Sequence, residues 1–540
     1  MREDDATTGP PATATGHAGT TPGAAGSAPL PEGPAYVEDV ATAFTSAMDL
    51  ASRRLGGMVL DASDEFFAAK ENLLEPSAPV FDPDAYGDRG KIMDGWESRR
   101  RRTDGVDTAT LRLGVAGTIS AVIVDTTHFR GNAPAACWLE GCVSERDAPD
   151  ETTHWFPLLD TTPLQPHTAQ QLHVATNDRV THVRLGIVPD GGVARLRVLG
   201  HPLVDLHLAA DPHGRLDLAA AINGGRAVGC SDEFFSSPHN LIMVGDSRDM
   251  SDGWETRRRR GPGEDWAILE LAATGVIDRI ELDTTHFKGN YPDRCIVEGI
   301  HAPGADVGGL VGTGGGATDH GWVELVAESP MQPHARHAYA VRVTEPVSHL
   351  RLRVLPDGGV ARLRAYGTVD DDGWLRHGLA HLDLADADRA RADLLRCCGS
   401  TAWAGQMTAR RPFGSRDELL RQADEVWTSL STDDHLQAFA AHPRIGERSA
   451  ARWSSQEQAG VDDSDQATRD ALIEANHAYE DRLGHVFLIC ATGKSADQIL
   501  VELRRRLDND PAEELTVAAD EQRQITHLRL DKLLRDGRTG

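Results

Sequence analysis

Asp125-Thr126-Thr127-His128-Phe129-Arg130-Gly131-Asn132 and Asp283-Thr284-Thr285-His286-Phe287-Lys288-Gly289-Asn290 are one motif written twice. Four more blocks flank it in the same order both times. Ser63-Asp64-Glu65-Phe66-Phe67 returns from Ser231, Asp94-Gly95-Trp96-Glu97 from Asp252, Gln165-Pro166-His167 from Gln332, and Pro189-Asp190-Gly191-Gly192-Val193 from Pro356. In chain order the five offsets are 168, 158, 158, 167 and 167 residues, so loop insertions separate the blocks. A period this long means two whole domains rather than a solenoid of small repeats.

Each copy reads as β-structure. Val183, Leu185 and Ile187 alternate with His182, Arg184 and Gly186, and Ala194, Leu196 and Val198 alternate with Arg195 and Arg197. Period-two alternation broken by Asp-Gly and Gly-Gly turns predicts an antiparallel sandwich in each copy. Trp96, Trp254, Phe129 and Phe287 are expected in the cores, and Asp190 and Asp357 in turns.

Beyond about residue 385 the period changes. Ser415-Arg416-Asp417-Glu418 has capping-box spacing, and Leu419, Leu420, Ala423, Val426, Trp427 and Leu430 follow at helical intervals. Residues 465–483, 495–508 and 511–534 also read as helices. The expected organisation is a disordered segment at 1–45, β-sandwiches at 46–215 and 216–370, a short acidic linker at 371–384, and an all-α domain at 385–540. The first segment is Ala-, Thr-, Gly- and Pro-rich with too few large apolar side chains to offset its ordering entropy.

The 540 residues carry a formal net charge of -28, which argues against nucleic acid or an anionic membrane surface as partner. No run is apolar enough to span a bilayer, and no apolar signal-peptide core follows Met1, so a cytoplasmic location is expected. Seven cysteines form no paired zinc pattern and read as reduced, packed thiols.

The repeated blocks resemble the allantoicase family over about 50–367. The resemblance implies two jelly-roll-like sandwiches and hydrolysis of allantoate to ureidoglycolate and urea. The substrate's carboxylate needs a guanidinium anchor, for which Arg99 and Arg257 are candidates. Expelling urea needs an acid, and adding water needs a base. Asp125, His128, Asp283 and His286 end apolar runs and are candidates for these roles, with Glu97 and Glu255 behind them. The alternative is that the Asp and His residues only fix loop turns. A metal on Asp-x-x-His lacks a third ligand, so none is expected.

The region 385–540 resembles the OHCU decarboxylases, which act on 2-oxo-4-hydroxy-4-carboxy-5-ureidoimidazoline. The resemblance rests on Cys398-Gly399-Ser400 with Trp403, Arg411-Pro412-Phe413, His442-Pro443-Arg444-Ile445-Gly446, Ser454-Ser455-Gln456-Glu457-Gln458-Ala459-Gly460 and Phe487-Leu488-Ile489-Cys490-Ala491. It implies that His442 is catalytic with Glu457 as partner, and that Pro443, Ser454 and Gln458 line the substrate. The backbone of Phe487, Leu488, Ile489, Cys490 and Ala491 would bind the ring, and Arg529 would hold an anionic or carbonyl group. Without the resemblance, His442 before a proline reads first as a helix-end cap or a satisfied surface group. Arg529 lies on an apolar helix face, where a charge is costly unless paired or ligand-bound. No cofactor motif is present, so the substrate's own imidazoline must serve as electron sink, and (S)-allantoin is the expected product.

The expected partners are the two small-molecule substrates, a second copy of the chain in a homo-oligomer, and an allantoinase, because allantoin must be ring-opened before the sandwiches can act. The competing function is that the sandwiches are ligand-binding modules attached to a decarboxylase.

Overall fold

A computed structural model describes residues 47–174, 178–305, 307–311, 321–444 and 466–536. The disorder expected for 1–45 lies outside them.

One 19-residue strand, Asp107–Asp125, organises the first repeat. Its first half pairs with Arg179–Val188 and Met58–Ala62, its second half with Arg195–Pro202 and Ala169–His173, all antiparallel. A single strand therefore passes from one sheet to the other and forms a corner of the sandwich. Its burial alternates along the first half and becomes continuous over Ala121–Asp125, where both sides are covered. At the corner, a Cβ on Gly117 would stand 2.1 Å from the carbonyl oxygen of His201, so only glycine allows the crossing.

The second repeat reproduces this arrangement. Asp265–Asp283 pairs with Val347–Leu355 and Arg226–Cys230, then with Arg362–Val369 and Arg336–Ala340. Trp96, Phe129, Trp254 and Phe287 are fully buried. One continuous apolar core runs through both repeats. Arg54 of the first repeat reaches Asp252 of the second at 2.8 Å.

The C-terminal region is helical, as expected. Arg416–Ser429, Gln466–Leu483, Ala496–Arg506 and Pro511–Asp536 occupy the predicted helical spans. Ser415 accepts the Glu418 N–H, but the Glu418 carboxylate turns to Arg421 and Gln422, so only half of the capping box forms. Residues 371–384, expected to be a linker, are instead mostly the helix Asp371–Asp383, capped by Asp370. Its acidic first turn suits a helix N-terminus, while Leu379 and Leu382 pack into the helical core. His381 donates Nε2–H to Val204 O (3.1 Å), and His377 Nε2 accepts from the Leu206 N–H (3.4 Å). The junction is thus docked against the segment that joins the two sandwiches. Among the described residues no helix is long and apolar enough to cross a membrane.

Candidate functional sites

The repeated motifs converge at one end of each sandwich. Asp125 closes the long strand and pairs in register with Arg195 and Ala169. Glu97 pairs with Gly192 of the Pro-Asp-Gly-Gly turn. Gly191 there has φ +133° and approaches Asn132 O so closely that a side chain would collide. Asp190 accepts the Arg101 N–H at 2.8 Å and Asp357 the Arg259 N–H at 2.7 Å, in keeping with turn roles.

Among the described residues only four non-glycine residues have positive φ, and all four are histidines of these loops: His128, His167, His286 and His334, at 72°, 54°, 75° and 50°. Left-handed backbone is costly for such residues and tends to gather where function requires it. The four are linked in pairs. His167 Nδ1 accepts the main-chain N–H of His128, and His334 Nδ1 that of His286, each at 2.8 Å. The QPH blocks were legible as repeats, but their pairing with the DTTH loops, 39 and 48 residues away, has no local signal.

These contacts define tautomers. His128 Nε2 faces Pro79 O at 3.2 Å and His286 Nε2 faces Ser247 O at 2.8 Å. A carbonyl only accepts, so each Nε2 carries the proton and each Nδ1 is left as a lone pair, the form a general base requires. Asp125 and Asp283 each accept the N–H two residues ahead, as Asx turns do (Thr127, 2.8 Å; Thr285, 2.7 Å). The turn role therefore holds for one carboxylate oxygen of each. The second Asp283 oxygen is bound by Arg336 Nε at 3.2 Å, whereas repeat 1 has Ala169 at that place and the second Asp125 oxygen has no partner among the described residues.

Glu97 accepts from Asn132 Nδ2 at 2.6 Å, and burial raises its carboxyl above the ordinary glutamate range. The carboxylate of Glu255 takes the same bond from Asn290. Arg99 and Arg257 are engaged elsewhere: their Nε atoms bind Asp64 (2.7 Å) and Asp232 (2.8 Å), and both guanidinium groups lie over Phe66 or Phe234. They clamp the DEFF loops. Among the described residues no cluster of three or more His, Cys, Asp or Glu side chains could hold a metal ion.

In the helical region His442 follows the helix Thr432–Ala440, its N–H donating to Phe439 O at 3.0 Å. Pro443 follows, and Arg444 then makes a two-point bond to Glu480, both contacts 2.7 Å. Arg444 holds the Glu480 carboxyl below its usual range. A Cβ on Gly399 would meet the Ala441 side chain at 2.5 Å, so Cys398-Gly399-Ser400 lies directly against the turn that presents His442. Behind it, Gln522, Thr526 and Arg529 line one buried face of the last helix. Gln522 donates to Cys398 O (3.5 Å) and Thr526 Oγ1 (3.2 Å), and Arg529 is close enough to favour the thiolate of Cys398, although burial still pushes that thiol up to about 12. Gln522 and Thr526 were not anticipated. Their signal was helical spacing, Thr526 three residues and Gln522 seven residues before Arg529.

The segment Phe487–Ala491 alternates between two cores, with Leu488 in one and Phe487, Ile489 and Ala491 in the other. Part of its backbone is engaged within the protein: Leu488 O accepts from Arg506 and the Cys490 N–H donates to Glu521, both at 2.7 Å. Ser454, Glu457 and Gln458 lie outside the described residues. A cleft of about 860 Å³ between the second sandwich and the helices, lined by Thr274, Asp372, Arg376 and Arg416, contains none of the candidate residues.

Residues 48–203 and 216–370 each match the allantoicase repeat model, and 383–531 match the OHCU decarboxylase model. A probable allantoicase from Burkholderia mallei is 43% identical over 325 residues, covering 60% of this chain and 95% of that protein. The allantoicase structure from Saccharomyces cerevisiae is 33% identical with a TM-score of 0.52, covering 62% of this chain and 98% of that one. An OHCU decarboxylase crystallised in the presence of (S)-allantoin is 34% identical with a TM-score of 0.24, covering 26% of this chain and 96% of that one.

Proposed function

We propose specific sites for two reactions, from the premise that the chain belongs to the allantoicase family through residues 48–203 and 216–370 and carries an OHCU decarboxylase domain at 383–531. It is a bifunctional enzyme of purine catabolism. That both repeats match the allantoicase model favours a catalytic sandwich over a ligand-binding module.

The sandwich ends hydrolyse allantoate to ureidoglycolate and urea. One observation carries the site: each DTTH histidine has its Nε2 proton committed to a carbonyl, leaving Nδ1 as a fixed lone pair at the loop surface. In the reaction, His128 Nδ1 takes a proton from water as its oxygen bonds to the carbon bearing the two ureido groups. The C–N bond to one group breaks, and a protonated carboxyl returns a proton to that nitrogen so that urea leaves. Glu97 suits the acid role because burial favours its protonated form. Asp125, through the oxygen that its turn leaves open, orients the attacking water, and His286, Asp283 and Glu255 are the corresponding set in repeat 2. The test is urea release from allantoate by the full chain. A chain that binds allantoate but forms no urea would leave the sandwiches as binding modules.

The helical region converts OHCU to (S)-allantoin, with His442 moving the proton, Glu457 assisting, and Arg529 with the buried Gln522–Thr526 face holding the polar substrate. The electron pair of the broken C–C bond passes into the substrate's imidazoline, CO2 leaves, and a proton returns to carbon. Replacing His442 with Asn is expected to lower enzymatic formation of optically active allantoin by about 10²–10⁴-fold. Urea release from allantoate should not change. Enantiopure allantoin at the native rate would move the role to another group. Because the two reactions are separated by ring opening, we further propose co-assembly with an allantoinase and self-association of the chain, both testable by sedimentation with and without that enzyme.

A further inference from the structure

The hydrogen bonds of His167 leave it facing the wrong neighbour. Its Nδ1 is occupied as an acceptor by the His128 N–H at 2.8 Å, so the proton of the neutral ring sits on Nε2. That Nε2 stands 3.1 Å from Nη2 of Arg130. A guanidinium has only donors, so two donors meet with no acceptor between them. Charging the ring does not relieve this, since a protonated imidazole still donates from Nε2. It is also disfavoured, because burial, Arg130 and His128 together hold His167 below the usual histidine range. Arg130 is exposed and has no carboxylate partner among the described residues, in a chain whose formal charge is -28. Both His128 and His167 adopt left-handed backbone, a strained conformation that the surrounding contacts must sustain.

We propose that Arg130 and His167 form the subsite for the carboxylate of a ureido-carboxylate substrate, and that repeat 1 is the catalytic copy. One substrate oxygen accepts from His167 Nε2–H and the Arg130 fork supplies the remaining donors, which turns a donor–donor contact into a charge-assisted clamp. This rests on the assignment of allantoate hydrolysis to the sandwich ends and adds where the substrate's anionic group is held. Repeat 2 has the same histidine tautomer, fixed by the His286 N–H on His334 Nδ1, but Lys288 replaces Arg130. There Arg336 also occupies the oxygen of Asp283 that Asp125 keeps free.

The test uses hydantoate, which carries one ureido group and one carboxylate, and its neutral carboxamide. Both are titrated calorimetrically into the full chain and used as inhibitors of urea release. Hydantoate is expected to bind about tenfold or more tightly than the carboxamide. Arg130→Gln, at an exposed position, should raise KM for allantoate about tenfold or more with kcat within about threefold, and should abolish the preference for the carboxylate. His167→Gln should lose the same preference, and Lys288→Gln should leave KM and kcat unchanged. Native KM and native carboxylate preference in Arg130→Gln would overturn the subsite while leaving urea release intact. Failure of the native chain to release urea would instead overturn the assigned reaction, and hydantoate binding would still decide whether Arg130 holds an anion.

Discussion

The two sandwiches agree inside and part company at the mouth. Trp96 and Trp254 are both fully buried, and each donates its indole N–H to a carbonyl of the DEFF loop, to Asp64 O at 2.8 Å and Asp232 O at 2.9 Å. Phe129 and Phe287 lie against the same pairs of glycines, Gly95 and Gly192 or Gly253 and Gly359. The second oxygens of Asp125 and Asp283 differ in occupancy, and Arg130 is replaced by Lys288. Packing punishes change in the core, whereas a loop position can change without disturbing the fold. Duplication therefore supplies two equal scaffolds, and a few loop substitutions are enough to give them unequal chemistry.

The widest separation should appear on replacing the two aspartates. Asp125→Asn is expected to lower kcat for urea release by about 10²–10⁴-fold, and Asp283→Asn far less, because Arg336 already occupies that carboxylate. Equal losses would make both mouths catalytic, and no loss from either would leave only the turn roles. The cores should respond alike. Trp96→Ala and Trp254→Ala are each expected to cost about 3–5 kcal/mol in guanidinium unfolding. A large difference between them would show that the scaffolds are not equivalent.

The smallest effect concerns pH. Asp49 and Asp217 hold equivalent places: each carboxylate accepts a main-chain N–H from the partner strand, Val198 at 3.0 Å and Ala365 at 2.9 Å. Burial raises both, Asp217 to about 6. A carboxyl raised on folding binds its proton more tightly in the native state. Its contribution is complete below about 4 and is lost as pH rises through about 6. Asp217→Asn should flatten that part of the stability profile, by on the order of 1–3 kcal/mol. An unchanged slope between pH 4 and 6 would place the titrating group elsewhere.

The sandwiches and the last helices were readable because alternation and helical spacing are local and repeat along the chain. Trp96, Phe129 and their counterparts could be placed in the core for the same reason. The histidine pairs could not, since the meaning of His167 depends on an N–H presented 39 residues earlier. Arg99 and Arg257 looked available as anchors because their partners Asp64 and Asp232 are 35 and 25 residues distant. The helix at Asp371–Asp383 was hidden by its acid-rich start, which suits a cap and a first turn as well as a linker. Its apolar side, Leu379 and Leu382, became meaningful only against the neighbouring helices.

The long strands Asp107–Asp125 and Asp265–Asp283 also impose an order of assembly. The far half of the first finds its partners only at Ala169–His173 and Arg195–Pro202, so during synthesis it must wait for nearly eighty further residues. Such distant pairing slows folding and leaves strand edges exposed to other nascent chains. The helical region closes later still, because its helix Pro511–Asp536 packs back on Asp371–Asp383 and Gln522 reaches Cys398 across 124 residues of sequence. Coming after both sandwiches in the chain, it can close against a finished β-scaffold rather than against unpaired strand edges.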